Sequence, residues 1–378
     1  MIKIGITGSS GFIGQHLVRT LDLKKNIKIF TIDKTKYRIE NELIKFVKNC
    51  NVIIHLASLN RHDDNNFLFT ENVDITKRLI SALELSNSNP PIIFSSSIQE
   101  NLKNNYGKSK KISSSLLKKW AELNNGNVLS LSIPNVFGPF CKPFYNSVVA
   151  TFCYQLVSGK TPFIDNDKKL ELIYVSELID IIVEFVEKFS PAKNPKKSFI
   201  KTTIGPSKVI TVSRILKKLN DFKSLYIKNG IIPNLSNDFN KNLFNTFLCY
   251  LDHESWFPFI LKLNTDKRGS FVETMKFNSS GQVSFSTTKP GITRGNHYHT
   301  RKFERFAVID GKALIQLRKI GSSKIYDFIL DGSTPSFVDM PIWFTHNIKN
   351  IGSKDLLTLF WINEEYDKNN PDTYFEKV

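Results

Sequence analysis

The chain opens MIKIGITGSSGFIGQHL, Met1 to Leu17, and the reading of this stretch decides the fold of the first half. The apolar run from Ile2 to Thr7 predicts a buried strand, and the spacing of apolar residues after Phe12 predicts a helix. Between them stand Gly8, Gly11 and Gly14 in the run GSSGFIG. Glycine there permits a tight turn and lets the backbone approach a pyrophosphate, whose charge is favoured at a helix N-terminus. Gly8, Gly11, Phe12, Ile13 and Gly14 are therefore candidate contacts to a dinucleotide.

Working outward, further strand candidates are IKIFTID, NVIIHLA, PIIFSSS and NVLSLSIP. Segments with helical spacing run between them, such as Gln15 to Leu23 and Asp74 to Leu85. This alternation implies an α/β, Rossmann-type, doubly wound parallel sheet. The polar, proline-bearing run SPAKNPKK (Ser190 to Lys197) is expected to be a surface loop. The second strand ends at Asp33, where an acid accepts hydrogen bonds from ribose hydroxyls and favours NAD. Lys34, Lys36 and Arg38 follow closely and are placed to receive a 2′-phosphate, so NADPH and NADH both stay open.

Tyr106-Gly-Lys-Ser-Lys110 opens another predicted helix, and residues four apart share a helix face. A lysine ammonium beside a phenol favours phenolate and lowers its pKa, which suits a proton donor to a carbonyl under reduction. Ser95, Ser96 and Ser97 end the preceding strand. This set resembles the extended short-chain dehydrogenase/reductase family over roughly residues 1 to 245. The resemblance implies a catalytic set of Tyr106, Lys110 and Ser97, with Ser96 as the second choice. It also implies that HLASLN, with Leu56 and Ala57, lines the nicotinamide side, and that Asn135 in PNVFGPF meets a nucleotide-sugar. His55 reads as a packing residue after a buried strand.

From about Asn240 to Lys267 the chain reads as aromatic-rich and irregular, and past Gly269 the helical period disappears. Short alternating runs follow: QVSFSTTK, FAVIDGKALIQLRK, IYDFIL, FVDMP and LLTLFWI. They predict an antiparallel sandwich or barrel. The domain boundary is placed near residue 250, dividing 1–248 from 249–378. Within the second half lies GITRGNHYHTRKFERFAVIDG, Gly291 to Gly311. His297 and His299 alternate by two, so on a strand both side chains face one way. With Glu304 nearby and His346 in PIWFTHNIKN, three imidazoles and a carboxylate are available to hold Zn, Fe, Mn or Ni. Zinc is the expected ion.

The spacing G-x5-H-x-H-x4-E-x6-G resembles the first motif of the cupin family, whose fold is a jelly-roll barrel. Pro341, His346 and Asn350 meet the second motif, which departs at Trp343, where the family has glycine. A reductase followed by such a cupin, with DKRGSF (Asp266 to Phe271), CKPFYNSVVATFCYQ (Cys141 to Gln155) and NPDTYF, resembles the bifunctional capsular-polysaccharide and O-antigen enzymes. These act on a UDP-2-acetamido-2,6-dideoxy-4-hexulose. The resemblance implies C3 epimerisation at the cupin, C4 reduction with NADPH, and substrate contacts at Asn135, Asn146 and Ser147. A cupin that has lost its metal and serves only for pairing is the alternative. Arg294, Tyr298 and Lys302 lie near the ligands in sequence, but each reads as a rim residue more readily than as the epimerisation base.

The 378 residues carry 52 Lys and Arg against 35 Asp and Glu, a formal net charge of +17. No basic-aromatic platform accompanies that charge, so nucleic acid is not the expected partner. A doubly anionic UDP-sugar suits it. No apolar run reaches the length of a membrane span, and no leader precedes the first strand, so a cytoplasmic enzyme without membrane insertion is expected. Cys50, Cys141, Cys153 and Cys249 lack CxxC spacing and read as reduced. A homodimer is expected from the faces that cupin barrels expose.

Overall fold

The computed structural model describes residues 1–188, 198–266, 269–272, 274–277, 281–364 and 366–378. The Ser190 to Lys197 segment lies outside them, as do Lys267 and Arg268 of DKRGSF. The chain divides into two compact units, one of residues 1–148 and 168–212, the other of 149–167 and 213–378.

The first unit holds β1 (Ile2–Thr7), β2 (Ile27–Ile32), β3 (Val52–His55), β4 (Ile92–Ser97), β5 (Asn127–Ile133), β6 (Asn135–Phe137), β7 (Lys169–Tyr174), β8 (Ser198–Thr203) and β9 (Lys208–Thr211). Six of them form a parallel sheet in the order β2-β1-β3-β4-β5-β8. The strands read as near-continuous apolar runs because both faces are covered. Ile4, Ile6, Val52, Ile54, Ile93, Leu129 and Leu131 pack on one side with Leu178, Ile179 and Ile182 of the helix Val175–Lys188. Ile53, Ile92, Phe94 and Val128 pack on the other with Leu79, Leu83, Leu117 and Trp120. Strand order reverses between β1 and β3, which opens a crevice at the carboxyl ends of the strands. The remaining strands form the small sheet β6-β7-β9.

The second unit holds β10 (Phe259–Ile260), β11 (Leu263–Asp266), β12 (Gly269–Val272), β13 (Gln282–Thr288), β14 (Thr293–Tyr298), β15 (Glu304–Asp310), β16 (Lys312–Lys319), β17 (Ile325–Asp331), β18 (Ser336–Met340), β19 (Phe344–Asn350), β20 (Leu356–Ile362) and β21 (Tyr374–Phe375). Two five-stranded antiparallel sheets, β10-β18-β15-β20-β13 and β17-β16-β19-β14-β21, account for most of them. Arg305 on β15 is 1% exposed and makes two bonds to Asp339 on β18, at 2.8 and 2.9 Å. Its third donor reaches the Gly230 carbonyl at 2.6 Å, and the Tyr226 hydroxyl also donates to Asp339.

One expectation is corrected here. The stretch read as irregular from Asn240 begins inside a helix, Asp238–Leu248. Asn237 caps it by accepting from the Asn240 amide, and Phe239, Leu243, Phe244, Phe247 and Leu248 are buried along it. Those positions recur at helical spacing, so the aromatic content had obscured an ordinary amphipathic pattern. No helix among the described residues is long and apolar enough to cross a membrane.

Candidate active site and metal centre

A cavity of about 570 Å³ opens in the first unit, a volume suited to a cofactor site. Gly8, Gly11, Phe12, Ile13 and Gly14 line one end, between β1 and the helix Phe12–Asp22. Gly8 has φ +72°, and a Cβ on Gly14 would stand 2.2 Å from the Gly8 carbonyl oxygen. Lys34, Leu56, Ala57, Ser97, Tyr106, Lys110, Asn135 and Asn146 also line this cavity. Ser147 does not; its hydroxyl is a hydrogen-bond partner of Cys141.

Asp33 departs from its expected place. Its carboxylate caps the short helix Lys34–Tyr37, accepting from the Thr35 and Lys36 amides at 2.9 Å each. It lies off the cavity wall, whereas Lys34 and Arg38 lie on it. Arg38 pairs with Glu71 at 2.6 Å and Arg78 with Asp74 at 2.6 Å, and all four line the same region. Glu71, Asp74 and Arg78 stand on the helix Asn65–Ser86 and belong to no motif that the sequence displays.

Deeper in the cavity, the three serines of β4 divide by strand alternation. Ser96 donates to the buried Glu100 carboxylate, which also pairs with Lys201. Ser97 accepts from the Gln99 amide at 3.2 Å, and its hydroxyl proton is not committed by that bond. Lys110 Nζ donates to the Ser95 carbonyl at 2.8 Å and stands 5.7 Å from the Tyr106 ring centroid. Burial lowers the Lys110 ammonium to about 7, against an opposing pull from Glu100.

The Tyr106 phenol does not follow the expected depression. Burial pushes it above its ordinary value and Tyr145 adds to the rise, while a hydrogen bond with Ser58 works against both. Desolvation of the phenolate is the largest of these effects. Ser58 and Tyr145 both line the cavity, and neither was singled out from sequence although Tyr145 lies in the quoted CKPFYNS run. His55 is fully buried, bonds Thr7 Oγ1 at 2.7 Å and is lowered to about 3 by burial, in keeping with a neutral packing residue.

In the second unit His297, His299, Glu304 and His346 converge, with one ligand atom from each lying within 4.8 Å of the others. Glu304 Oε2 is 3.2 Å from His299 Nε2, 3.1 Å from His346 Nε2 and 4.0 Å from His297 Nε2. Ligands 2.0–2.1 Å from a tetrahedral ion stand about 3.3 Å apart, so the separations suit a divalent metal. Burial alone would raise the Glu304 carboxyl, but His299 and His346 hold it well below the usual range. Burial and the other two rings lower His297 to about 4. His299 Nε2 is buried with no aligned hydrogen bond, and this orphaned nitrogen faces the other three groups. The residues therefore fit a cation.

The turn before His346 is left-handed at Trp343. Trp343 has φ +62°, the left-handed backbone that glycine usually supplies, and its amide donates to the His299 carbonyl at 2.8 Å. Asn350 is buried and holds three backbone groups at 2.7 to 2.9 Å. Lys302 Nζ donates to the Pro371 carbonyl at 2.6 Å, and Arg294 to that of Thr287 at 3.1 Å.

Comparison with known proteins agrees with this geometry. Residues 4–200 match the model of the NAD dependent epimerase/dehydratase family, and residues 264–374 match the polysaccharide biosynthesis C-terminal domain. The chain is 31% identical over 375 residues to a UDP-2-acetamido-2,6-beta-L-arabino-hexul-4-ose reductase of Pseudomonas aeruginosa, covering 99% of this chain and 98% of the relative. It is 34% identical to the crystal structure of the capsular polysaccharide assembling protein CapF of Staphylococcus aureus, with a TM-score of 0.61 and 100% of each chain covered. RMD from Pseudomonas aeruginosa, solved with NADPH, shares the fold at 17% identity and a TM-score of 0.52, covering 59% of this chain and 84% of its own. With one model spanning more than half of the residues, and a relative above 30% identity along nearly all of them, the chain belongs to the NAD-dependent epimerase/dehydratase family of nicotinamide-using enzymes, here joined to a polysaccharide biosynthesis C-terminal domain.

Proposed function

We propose that the chain reduces C4 of a UDP-2-acetamido-2,6-dideoxy-4-hexulose with NADPH after epimerising C3 at the His-Glu centre. The product is then UDP-N-acetyl-6-deoxy-L-talosamine, on the route to N-acetyl-L-fucosamine for surface polysaccharide. The carrying observation is Tyr106, Lys110 and Ser97 on one cavity wall, in a chain similar from end to end to a reductase of such a hexulose. NADPH is favoured over NADH by Lys34 and Arg38 on the wall and Asp33 off it.

When bound, the reduced nicotinamide supplies hydride at C4, and a divalent ion held by His297, His299, Glu304 and His346 supplies Lewis acidity. Ser97 and Tyr106 position the C4 oxygen, and Tyr106 gives it the phenolic proton as C4 becomes an alcohol carbon. A raised phenol keeps that proton until the oxygen becomes basic. Lys110, tied to the Ser95 carbonyl, fixes the helix face that carries Tyr106.

The order of the steps follows from carbon acidity. A C3 hydrogen beside the C4 ketone can leave because its loss gives an enolate, and reduction of C4 removes that acidity. Epimerisation therefore comes first, and hydride transfer draws it forward. Retention of all four ligand residues supports a working centre over a barrel that only pairs.

The test is nicotinamide oxidation with a panel of UDP- and dTDP-4-keto sugars. The hexulose named above should be turned over, and Tyr106→Phe should lower kcat by about 10²–10⁴-fold with cofactor affinity little changed. Full turnover by Tyr106→Phe would remove the assignment.

A further inference from the structure

We infer that Asp372 is a positioning residue for the metal centre, setting which nitrogen of His299 faces the ion; the inference rests on reading His297, His299, Glu304 and His346 as ligands. His299 lies just past the end of β14, in a loop that no strand pairing holds. The Trp343 amide holds its backbone carbonyl at 2.8 Å, and what holds its ring comes from a segment 73 residues later. The Asp372 carbonyl accepts from His299 Nδ1 at 2.5 Å. A carbonyl has no proton to give, so Nδ1 carries the hydrogen, which leaves Nε2 as the nitrogen turned toward Glu304 and open to an ion once its own proton has left.

The Asp372 side chain fixes the carbonyl in place. Its carboxylate accepts from the amides of Thr300 at 3.1 Å, Arg301 at 2.9 Å and Lys302 at 3.1 Å, and from the Thr300 hydroxyl at 2.6 Å. One buried side chain thus gathers three successive amides of the loop that follows the ligand. Asp372 has φ +43°, a left-handed conformation that aspartate tolerates better than most residues. In that conformation the carboxylate meets the loop and the carbonyl meets the ring. On each side the chain is fastened: Lys302 bonds the Pro371 carbonyl, and β21 pairs with His297 and Tyr298.

Partners that orient a ligating histidine are typically worth about 10–100-fold in metal affinity. Asp372→Gly keeps the left-handed backbone and loses the carboxylate, whereas Asp372→Asn keeps one acceptor oxygen and tolerates the same φ. In the full-length chain, Co²⁺ affinity is measured by competition with a chromophoric chelator. We expect Asp372→Gly to bind about 10–100-fold more weakly, with Asp372→Asn recovering part of the loss. Equal Co²⁺ affinity in Asp372→Gly and the unaltered chain overturns the inference and leaves the metal reading standing. Failure of the unaltered chain to bind Co²⁺, or binding undiminished by His346→Ala, defeats the metal reading and the inference with it. A measurement free of any folding defect is ¹⁵N resonance of the histidine rings in the unaltered, Zn²⁺-loaded chain. His299 protonated at Nδ1 supports the inference, and protonation at Nε2 overturns it.

Discussion

Trp343 sets two local energies against each other. Its left-handed φ of +62° costs a non-glycine residue about 1–3 kcal/mol. Its indole, 5% exposed, stacks on Tyr298 with ring centroids 5.7 Å apart, and truncating a buried aromatic costs about 3–5 kcal/mol. Packing wins, so Trp343→Gly should destabilise the second unit by roughly 2 kcal/mol despite relieving the backbone. Urea unfolding followed by the fluorescence of the remaining tryptophans checks this; a stabilised variant would show that strain dominates. The departure from glycine was legible in the sequence, but its consequence was not, because propensity alone forbids the conformation that packing imposes. Asp33 is similar: an acid at a strand end reads as a ribose ligand, and nothing in that reading shows that its Oδ1 also caps the next helix by accepting from two amides.

Between elements, the pair Arg305–Asp339 joins β15 to β18 in direct register, with Tyr226 and Gly230 drawn onto it. Breaking a buried ion pair on one side costs about 3–5 kcal/mol, because the other charge is left without compensation. Arg305→Met should lose that much, and adding Asp339→Leu should return most of it. Thermal unfolding of the single and double variants measures the difference. A single variant within about 1 kcal/mol of the unaltered chain would contradict the assignment. The strands themselves were readable from alternation, and the parallel sheet from apolar runs that only two covered faces explain. This partnership was not, since cross-strand pairing depends on register. Nor was the helix Asp238–Leu248, whose apolar stripe is built from phenylalanines that also suit a strand.

At the scale of the whole molecule, one chain carries a nicotinamide-type cavity in its first unit and a His-Glu cluster in its second. Both were visible as motifs, because glycine turns, Tyr-x3-Lys and His-x-His each place chemistry by local geometry. The supports of those sites were not. Asp372 meets His299 across 73 residues and Lys201 meets Glu100 across 101, distances that only the completed topology closes. The net charge of +17 distinguished nothing by itself.

In the proposed reaction a single carbonyl serves two steps in sequence, proton exchange beside it and then hydride addition to it. The most direct measurement is turnover of the 4-keto UDP-sugar in heavy water with metal-loaded protein and unlabelled NADPH, followed by NMR of the isolated product. We expect one deuterium at C3 with inverted configuration, and protium from the cofactor at C4. A reduced product with its original C3 hydrogen retained would contradict the proposed reaction.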